Sequence, residues 1–344
     1  MAFATINLQE LAEKIKYINN ILIITHIDPD PDTLGSALGL KWIFEKLNKT
    51  SYVVCSDRVK DRICGFFDVT PELDSDYIEK AGFKQDYIIC ADAAADSQIG
   101  RYAEYYSEDI TQNKIDIVID HHYTNSLYGK ETYLDTNAAA TGEIIYNLAK
   151  ELNLEIDQIF AQYLYCAIVC DSGSFRYSST TSRTMSAAAE LIATGFDFAK
   201  LNRLIFQNKS LTQIAIERLA YNSLRICCGG KVAFITITLE MKKDAGLEGV
   251  ELGGINEIAK IIEGVEVGVV IKEAEPEECE DNKRAYKISL RSNEYVNVAE
   301  IAAQYGGGGH VHAAGCKVDI VDTLDTVEWI EQSLTEKIKK ALIM

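Results

Sequence analysis

The segment "ILIITHIDPDPDTLGS", residues 21–36, decides the fold of this chain. It opens with an apolar run and continues with four closely spaced polar side chains, His26, Asp28, Asp30 and Asp32. Two prolines separate the aspartates, and residues 34–48 then show the apolar spacing of a helix. A strand that ends in such a turn allows two interpretations. The turn is either an acidic surface loop or half of a metal site whose other ligands lie elsewhere in the chain.

Three further runs in the first part of the chain resemble the opening strand, and each is apolar along its whole length. Segments with helical spacing separate them. Strands of this kind, alternating with helices, are typical of a parallel sheet that is covered on both faces by helices. The sequence therefore predicts an α/β N-terminal domain with strands at 21–25, 51–55, 86–92 and 116–120. Further helices are predicted at 140–153, 157–171 and 181–195.

The pattern changes in the second part, where long alternating strands predict a smaller α/β domain with a mixed sheet. These strands are predicted at 231–240, 265–275 and 285–292, with an acidic hairpin loop at 275–283. A chain of 344 residues is also long for a single core, which favours two domains. We predict a first domain at 1–196, a helical linker at 197–224 and a second domain at 225–344.

The composition excludes several classes of protein. A net charge of −18 disfavours binding to long duplex nucleic acid, although cations held locally would still attract a small anion. The sequence has no basic signal region and no apolar run near the roughly 20 residues of a membrane helix, so no membrane association is expected. Nine cysteines without a CxxC pair favour buried thiols in a reducing cytoplasm.

The five histidines lie at segment ends rather than within core segments. His26 follows the first strand, His121 and His122 follow the fourth, and Asp92 closes the third. Ligands bind at the carboxyl ends of the strands in open parallel sheets, so these side chains are expected to meet at one edge. Imidazoles with several carboxylates and no thiolate suit Mn²⁺ or Mg²⁺, and so many ligands suggest a pair of ions.

Five ordered motifs make the chain similar to the DHH/DHHA1 phosphoesterases, over nearly its whole length. They are "HIDPDPD", the aspartate of "IICADAAA", "DHH" at 120–122, "AIVCDSGSF" and "GGGGHVHAAG". Within that superfamily the chain resembles the stand-alone oligoribonuclease and pAp phosphatase group. The resemblance implies two divalent ions, with Mn²⁺ expected and Mg²⁺ as the alternative, held by His26, Asp30, Asp32, Asp92, His121 and Asp171.

The resemblance also divides the roles at this site. It assigns His26 and Asp30 to one ion, and it assigns Asp32, His121 and Asp171 to the other, with Asp92 as the bridge. His122 would bind the scissile phosphate, and Asp120 would orient a histidine through its ring N–H. Asp28 is expected to be a turn residue. Pro31 departs from the glycine that the family often has there, which the loop tolerates if its φ is near −65°.

In the second domain, Arg291 and the glycine loop resemble the substrate-binding edge of the family. Glycines at 306–309 expose backbone N–H groups and are predicted to lead into a helix start in "HVHAAG", which would form an anion cradle. The residues expected to bind substrate are Arg291, Gly307, Gly308, Gly309 and His310. His312 is expected to be structural, and Arg176 is a further candidate for a phosphate contact.

The implied activity is hydrolysis of short single-stranded oligonucleotides to 5′-mononucleotides and of 3′-phosphoadenosine 5′-phosphate (pAp) to AMP. The alternative among enzymes is a phosphodiesterase for cyclic dinucleotides such as c-di-AMP, or for linear dinucleotides. The alternative of another class is a non-catalytic module that senses nucleotides. The sequence leaves the preferred substrate, the cleavage polarity and the oligomeric state open, with a homodimer as one option.

Overall fold

The computed structural model of the chain describes residues 3–75, 83–279, 284–320 and 327–343. The chain divides into two compact units, Met1–Asn208 and Lys209–Met344, and each unit contains its own sheet. The division falls within the segment that the sequence predicts as a linker. The boundaries of that linker stay a prediction.

The first unit contains a sheet of six parallel strands. They are β1 (Ala4–Thr5), β2 (Ile21–Ile24), β3 (Ser51–Val54), β4 (Tyr87–Ala91), β5 (Ile117–Asp120) and β6 (Glu131–Leu134). Their order across the sheet is β1-β6-β5-β4-β2-β3, and every neighbouring pair is parallel. The predicted parallel sheet is confirmed. The strands β1 and β6 were not predicted, because β1 has only two residues and β6, "ETYL", lacks the continuous apolar run of the predicted strands.

Helices cover this sheet because its central strands are apolar on both sides. The α-helices of the first unit are α1 (Leu8–Tyr17), α2 (Pro31–Lys46), α3 (Asp61–Phe67), α4 (Thr141–Glu151), α5 (Gln158–Asp171), α6 (Ser182–Ala193) and α7 (Phe198–Asn202). They share one core with Ile21 and Ile23 of β2. Leu22 and Ile24 belong to a second core, where a 3₁₀-helical segment, Asp96–Tyr105, contributes Ile99. Both faces of β2 are therefore buried in apolar cores, which explains its uninterrupted apolar sequence.

The second unit has a sheet of six strands, and the predicted mixed sheet is confirmed. Its strands are β7 (Arg225–Cys227), β8 (Val232–Ile237), β9 (Val267–Glu273), β10 (Ala285–Ser292), β11 (Gly308–His310) and β12 (Ala313–Asp319). The order is β11-β12-β10-β9-β8-β7. Only β8 and β9 pair in parallel among these described strands. The helices are α8 (Leu211–Asn222), α9 (Leu239–Asp244), α10 (Val298–Ala303) and α11 (Val327–Ile343).

Two details of the second unit differ from the prediction. The strand predicted to reach residue 240 ends at Ile237, because the Thr238 side chain accepts a hydrogen bond from the Met241 N–H and starts α9. The helix start predicted in "HVHAAG" is wrong, because these residues form the turn and flanking strands of a β11–β12 hairpin. The acidic loop at 275–283 extends beyond the described residues, which stop at 279 and resume at 284.

Within the described residues, no helix combines the length and the apolar character that crossing a bilayer requires.

Close packing of α2 on α5 depends on a glycine in the first turns of α2. A Cβ atom added to Gly35 would lie 2.6 Å from the Tyr163 carbonyl oxygen and 3.0 Å from the Ala167 Cβ. Both atoms belong to α5. Any side chain at position 35 would therefore push α2, which carries Asp30 and Asp32 at its start, away from its neighbour.

We expect Gly35→Ala to destabilise the first unit by about 1–3 kcal/mol through overpacking. That loss corresponds to a fall in Tm of roughly 2–12 °C for a unit of this size. The matched control is Gly65→Ala, in the exposed part of α3, where an added Cβ meets nothing within 4 Å. Alanine should stabilise that helix by about 0.5–1 kcal/mol. Equal Tm values for the two variants, measured by calorimetry, would contradict the packing argument.

Candidate active site

The order of the strands brings the polar side chains that follow them to one edge of the first sheet. Strands β5, β4 and β2 are neighbours and run in the same direction. His26 comes two residues after β2, Asp92 follows β4 directly, and His121 follows β5. Residues from three separate parts of the chain are therefore adjacent in space.

The turn after β2 is shaped by Asp30, which caps α2. One Asp30 carboxylate oxygen, Oδ1, accepts hydrogen bonds from the backbone N–H groups of Asp32 (2.9 Å) and Thr33 (3.0 Å). Pro31 is the first residue of the helix, where the fixed φ of proline is helical and no amide hydrogen is needed. This position explains how the loop accommodates proline in place of the family's usual glycine.

Three groups of imidazole and carboxylate side chains lie at this edge. The atoms that could bind an ion are within 4.8 Å of one another in each group. The groups are His26, Asp30 and Asp92; Asp32, His121 and Asp171; and Asp92, His121 and His122. Because Asp92 and His121 each belong to two groups, the potential sites adjoin one another.

Backbone carbonyl groups orient two of the imidazole rings in this cluster, those of His26 and His121. His121 Nδ1 lies 3.2 Å from the Ala138 carbonyl oxygen, and His26 Nδ1 lies 2.5 Å from that of Ile27. When Nδ1–H donates to these oxygens, the lone pair of each ring is on Nε2. His121 Nε2 is 3.4 Å from Asp171 Oδ2 and 3.8 Å from Asp32 Oδ2. Nε2 is thus available to an ion between these groups.

The carboxylates carry more buried negative charge than the protein groups around them neutralise. Burial raises the pKa of Asp32 well above its usual range, and the charges of Asp92 and Asp171 raise it further. Burial and the charge of Asp30 also raise the pKa of Asp92. For Asp171, burial outweighs the opposing effect of His121 and gives a pKa of about 6. Divalent cations would relieve this repulsion, and the oxygen and nitrogen donors present suit them.

His122 is held by Asp120 at the rim of the cluster. Its Nδ1–H donates to Asp120 Oδ1 over 2.7 Å, while Asn125 Nδ2 donates to Asp120 Oδ2 over 2.6 Å. The hydrogen bond from Asp120 raises the pKa of His122 to about 9 despite partial burial. Burial raises the pKa of Asp120, but the bonds from His122 and Asn125 outweigh that effect and lower it overall. The His122 side chain is half exposed, so its other ring nitrogen, Nε2, is accessible to a ligand.

Asp28 and Arg176 have other contacts. The Asp28 carboxylate forms an ion pair with Lys60 at 2.8 Å, and its backbone N–H donates to Asp57. Its φ of 48° marks it as a turn residue, and it is absent from the three ligand groups. The Arg176 Nε donates to the Gly173 carbonyl oxygen over 2.6 Å, which ties the guanidinium to the loop after α5.

In the second unit, the register of three strands places Arg291 and His310 in one row. Ala313 of β12 pairs with Arg291 of β10 on one side and with His310 of β11 on the other. Residues directly opposite each other in antiparallel strands share a face of the sheet. The small side chain of Ala313 therefore leaves space between two larger polar ones.

The glycines before His310 have two different structural roles. A Cβ on Gly307 or Gly309 would collide with backbone atoms of β12, so these two glycines allow the hairpin to close. Gly309 also has a φ of 142°. At Gly308 an added Cβ meets nothing within 4 Å, so Gly308 leaves open space beside the hairpin.

His312 lies in the turn between these strands. Its Nδ1 is 2.9 Å from the Ser292 hydroxyl, and its carbonyl oxygen accepts from the Ser292 N–H.

Comparisons with known proteins agree with this architecture. The model of the DHH family, N-terminal domain, matches residues 20–168, and the model of the DHHA1 domain matches residues 229–340. A Streptococcus mutans protein named probable bifunctional oligoribonuclease and PAP phosphatase NrnA is 30% identical over 303 residues, covering 88% of this chain and 90% of that protein. The chain belongs to the DHH family.

Two further proteins are similar to this DHH protein over almost its whole length. The bifunctional oligoribonuclease and PAP phosphatase NrnA of Thermus thermophilus is 29% identical over 333 residues, which are 96% of this chain and 94% of that protein. A crystal structure of an exopolyphosphatase-related protein from Bacteroides fragilis has the same fold, with a TM-score of 0.82 and 23% identity. The match covers 98% of this chain and 97% of that one.

The start of α4 contributes to the site of this DHH protein in a way that sequence reasoning missed. The backbone N–H groups of Thr141 and Gly142 donate to the two oxygens of Asp32, over 2.7 and 2.8 Å. Helix N-termini favour negative charge, so α4 stabilises the ionised form of this buried carboxylate. The only sequence signal was the small-residue run "AAATG" at 138–142, which is weak.

Two threonines, also missed, hold Asp92. Its Oδ2 accepts from the Thr33 hydroxyl over 2.6 Å, and its Oδ1 accepts from the Thr141 hydroxyl over 2.8 Å. The Thr33 hydroxyl also lies within hydrogen-bond distance of His26 Nε2. Asp92 has a φ of 60°, so both its backbone and its side chain are fixed in an uncommon arrangement.

Divalent ions should stabilise the first unit, because the native cluster presents a preformed set of possible ligands that the unfolded chain lacks. At about 100 times the dissociation constant, Mn²⁺ or Mg²⁺ should add about 2.7 kcal/mol. That gain raises Tm by roughly 5–10 °C relative to protein in chelator. Asp92→Asn keeps the shape of the side chain and removes a charge that two groups share, so it should lose this shift.

The matched control for Asp92→Asn is Asp28→Asn. Asp28 lies in the loop after β2, at the same edge of the sheet, and belongs to none of the three ligand groups. Asp28→Asn should keep the full metal-induced shift. In chelator, Asp92→Asn should be at least as stable as the wild type, because a buried repulsion has been removed. An unchanged metal response in Asp92→Asn, measured by calorimetry, would exclude a metal site at this cluster.

Thr141→Val removes the hydroxyl that orients Asp92 and should weaken Mn²⁺ binding about 10- to 100-fold, the usual range for partners of metal ligands. Thr141→Ser keeps the donor and should bind as the wild type does. Thr132→Val is the control, since the buried Thr132 hydroxyl has no hydrogen-bond partner among the described residues and its loss should be neutral or stabilising. Calorimetric titration of Mn²⁺ measures all three. Wild-type affinity in Thr141→Val would contradict the positioning role.

Proposed function

We propose that this chain is a metal-dependent phosphoesterase that hydrolyses short oligonucleotides to 5′-mononucleotides and pAp to AMP. The observation that carries the proposal is the set of three adjoining ligand groups at the carboxyl edge of the parallel sheet, two of which share Asp92 and two of which share His121. The names of the relatives from Streptococcus mutans and Thermus thermophilus support the same substrates.

We assign His26 and Asp30 to one divalent ion, Asp32, His121 and Asp171 to a second, and Asp92 to both. We propose Mn²⁺ as the ion, with Mg²⁺ as the alternative, since the donors are carboxylate oxygens and imidazole nitrogens without a thiolate. When bound, a pair of such ions activates water and neutralises the charge that develops on the phosphoryl group.

The remaining side chains of the cluster position the substrate and the ligands. His122 presents Nε2 to an oxygen of the scissile phosphate, because its Nδ1–H is engaged by Asp120. Asp120 thereby holds both the orientation and the protonated form of the ring. The hydroxyl groups of Thr33 and Thr141 hold Asp92 so that each carboxylate oxygen faces one side of the cluster.

The second unit supplies the recognition of the substrate in this proposal. The Arg291 guanidinium can bind a phosphate through two parallel N–H donors, and His310 adds a donor in the same row. Gly307 and Gly309 allow the β11 side of the hairpin to lie close to β12, and Gly308 leaves room for a ligand. We assign Arg291, His310 and Gly307–Gly309 to a terminal phosphate or nucleotide of the substrate.

The charge of the chain favours short substrates. With a net charge of −18, the surface repels a long polyanion along its whole length, whereas a short substrate meets mainly the local cations. We therefore propose short single-stranded oligonucleotides and small nucleotides as partners, and not long duplexes. The cytoplasm, expected from the cysteines, is the proposed location.

The test is a product assay with Mn²⁺ over pAp, di- to pentanucleotides, a 20-nucleotide RNA, c-di-AMP and pyrophosphate. We expect mononucleotides from the short oligonucleotides, AMP from pAp and little turnover of the long RNA. Asp92→Asn should abolish the activity and Asp28→Asn should retain it. Turnover of c-di-AMP alone would favour the cyclic dinucleotide phosphodiesterase, and tight nucleotide binding without any turnover would favour the sensing module.

A further inference from the structure

An unusually exposed tyrosine follows His122 in the chain. Tyr123 is 89% exposed, more than any other tyrosine in the described residues. A single exposed apolar side chain is common on protein surfaces and needs no explanation by itself. The position of this one, one residue after a side chain that we place against the scissile phosphate, distinguishes it from the others.

The turn that carries Tyr123 is firmly held. The Asn125 N–H donates to the His122 carbonyl oxygen over 3.1 Å, which closes the turn around Tyr123. The Asn125 side chain donates to Asp120, and the Ser126 N–H donates to the Ala94 carbonyl oxygen over 2.8 Å. The same carboxylate that orients His122 therefore also anchors the turn on which Tyr123 stands.

The ring of Tyr123 takes no part in holding this turn. Over the described ranges, its side chain makes no hydrogen bond, ion pair or ring contact. Tyr177, in the loop after Asp171, differs, because its ring packs against Gly173 so tightly that a Cβ there would lie 2.5 Å from it. Packing thus accounts for the presence of an aromatic ring at Tyr177, and it does not account for one at Tyr123.

We propose that Tyr123 is a stacking platform for the nucleobase next to the scissile phosphate. The inference rests on the proposed function. Adjacent Cα atoms are about 3.8 Å apart, so a phosphate bound at His122 leaves its own nucleoside within reach of the neighbouring ring. A tyrosine on a fixed turn loses little conformational entropy when a base stacks on it.

This platform would serve any of the four bases, because every base has a π face. It recognises a nucleoside without adding positive charge. The contact is made with the substrate before and during the reaction, so its loss should raise KM and leave kcat largely unchanged.

The experiment compares Tyr123→Ala with Tyr123→Trp, Tyr123→Phe and Tyr17→Ala on a diribonucleotide. Tyr17 is 80% exposed and precedes β2, at the opposite end of the strands, so it is the matched control. Tyr123→Ala should lower kcat/KM about 5- to 150-fold, the range of one base–aromatic stack, mainly through KM. The Trp and Phe variants should stay within a few-fold of the wild type, and Tyr17→Ala should be unchanged.

Two dinucleotides that lack one base, at the 5′ or the 3′ position, identify the stacked base. The loss caused by Tyr123→Ala should shrink to below about twofold on the analogue without that base. An equal loss on both analogues, a fall in kcat at constant KM, or a reduced metal-induced rise in Tm would instead make Tyr123 a structural residue of the turn and overturn the proposal.

The outcome for the platform is separable from the outcome for the proposed function. If the wild type and Tyr17→Ala both fail to hydrolyse the dinucleotide, the proposed function is contradicted. Calorimetric titration with AMP then tests the stack alone: weaker binding in Tyr123→Ala than in Tyr17→Ala supports it, and equal binding or no binding overturns it.

Discussion

The first unit depends on one electrostatic constraint, the concentration of carboxylates at the buried edge of its sheet. Asp32 and Asp92 are each only 1% exposed, and burial and the other carboxylates oppose the ionisation of both. Groups of this kind destabilise a protein unless something neutralises them. The surrounding hydrogen bonds and the proposed ions are both responses to this constraint.

The N-terminal ends of two helices supply hydrogen-bond donors to these carboxylates. At the start of α2, Asp30 accepts backbone hydrogen bonds, and at the start of α4 two backbone N–H groups reach Asp32. Each helix end needs acceptors, and each carboxylate needs donors. The pairing satisfies both requirements without adding a cation. Among the described residues, the Asp92 carboxylate instead accepts hydrogen bonds from the hydroxyl groups of Thr33 and Thr141, and no helix N-terminus offsets its negative charge.

Much of this arrangement could be predicted from the sequence. The apolar runs at β2, β4 and β5 predict buried parallel strands, and a parallel sheet requires their carboxyl ends to share an edge. His26, Asp92 and His121 could therefore be expected to lie together before any coordinates were known. The ordered motifs extend the same expectation to Asp171 and to the second unit, and the match to the DHHA1 domain at residues 229–340 covers the second unit.

Other features could not be predicted, for reasons that are physical. The strands β1 and β6 are specified by their neighbours, since β1 has only two residues and β6 lacks a continuous apolar run. The two alanines of the "HVHAAG" segment favour a helix, but pairing with β10 and the close approach of Gly307 and Gly309 turn the segment into a hairpin. Propensity is a local preference, and sheet pairing overrides it.

The sequence by itself determined which residues form buried strands and which polar residues follow those strands. Both properties depend on the order of residues along one segment. Only the tertiary structure decided that Thr33, Thr141 and Gly142 hold the carboxylates. Their contacts join positions up to 110 residues apart. No local pattern records a hydrogen bond between segments that meet only after the sheet has formed.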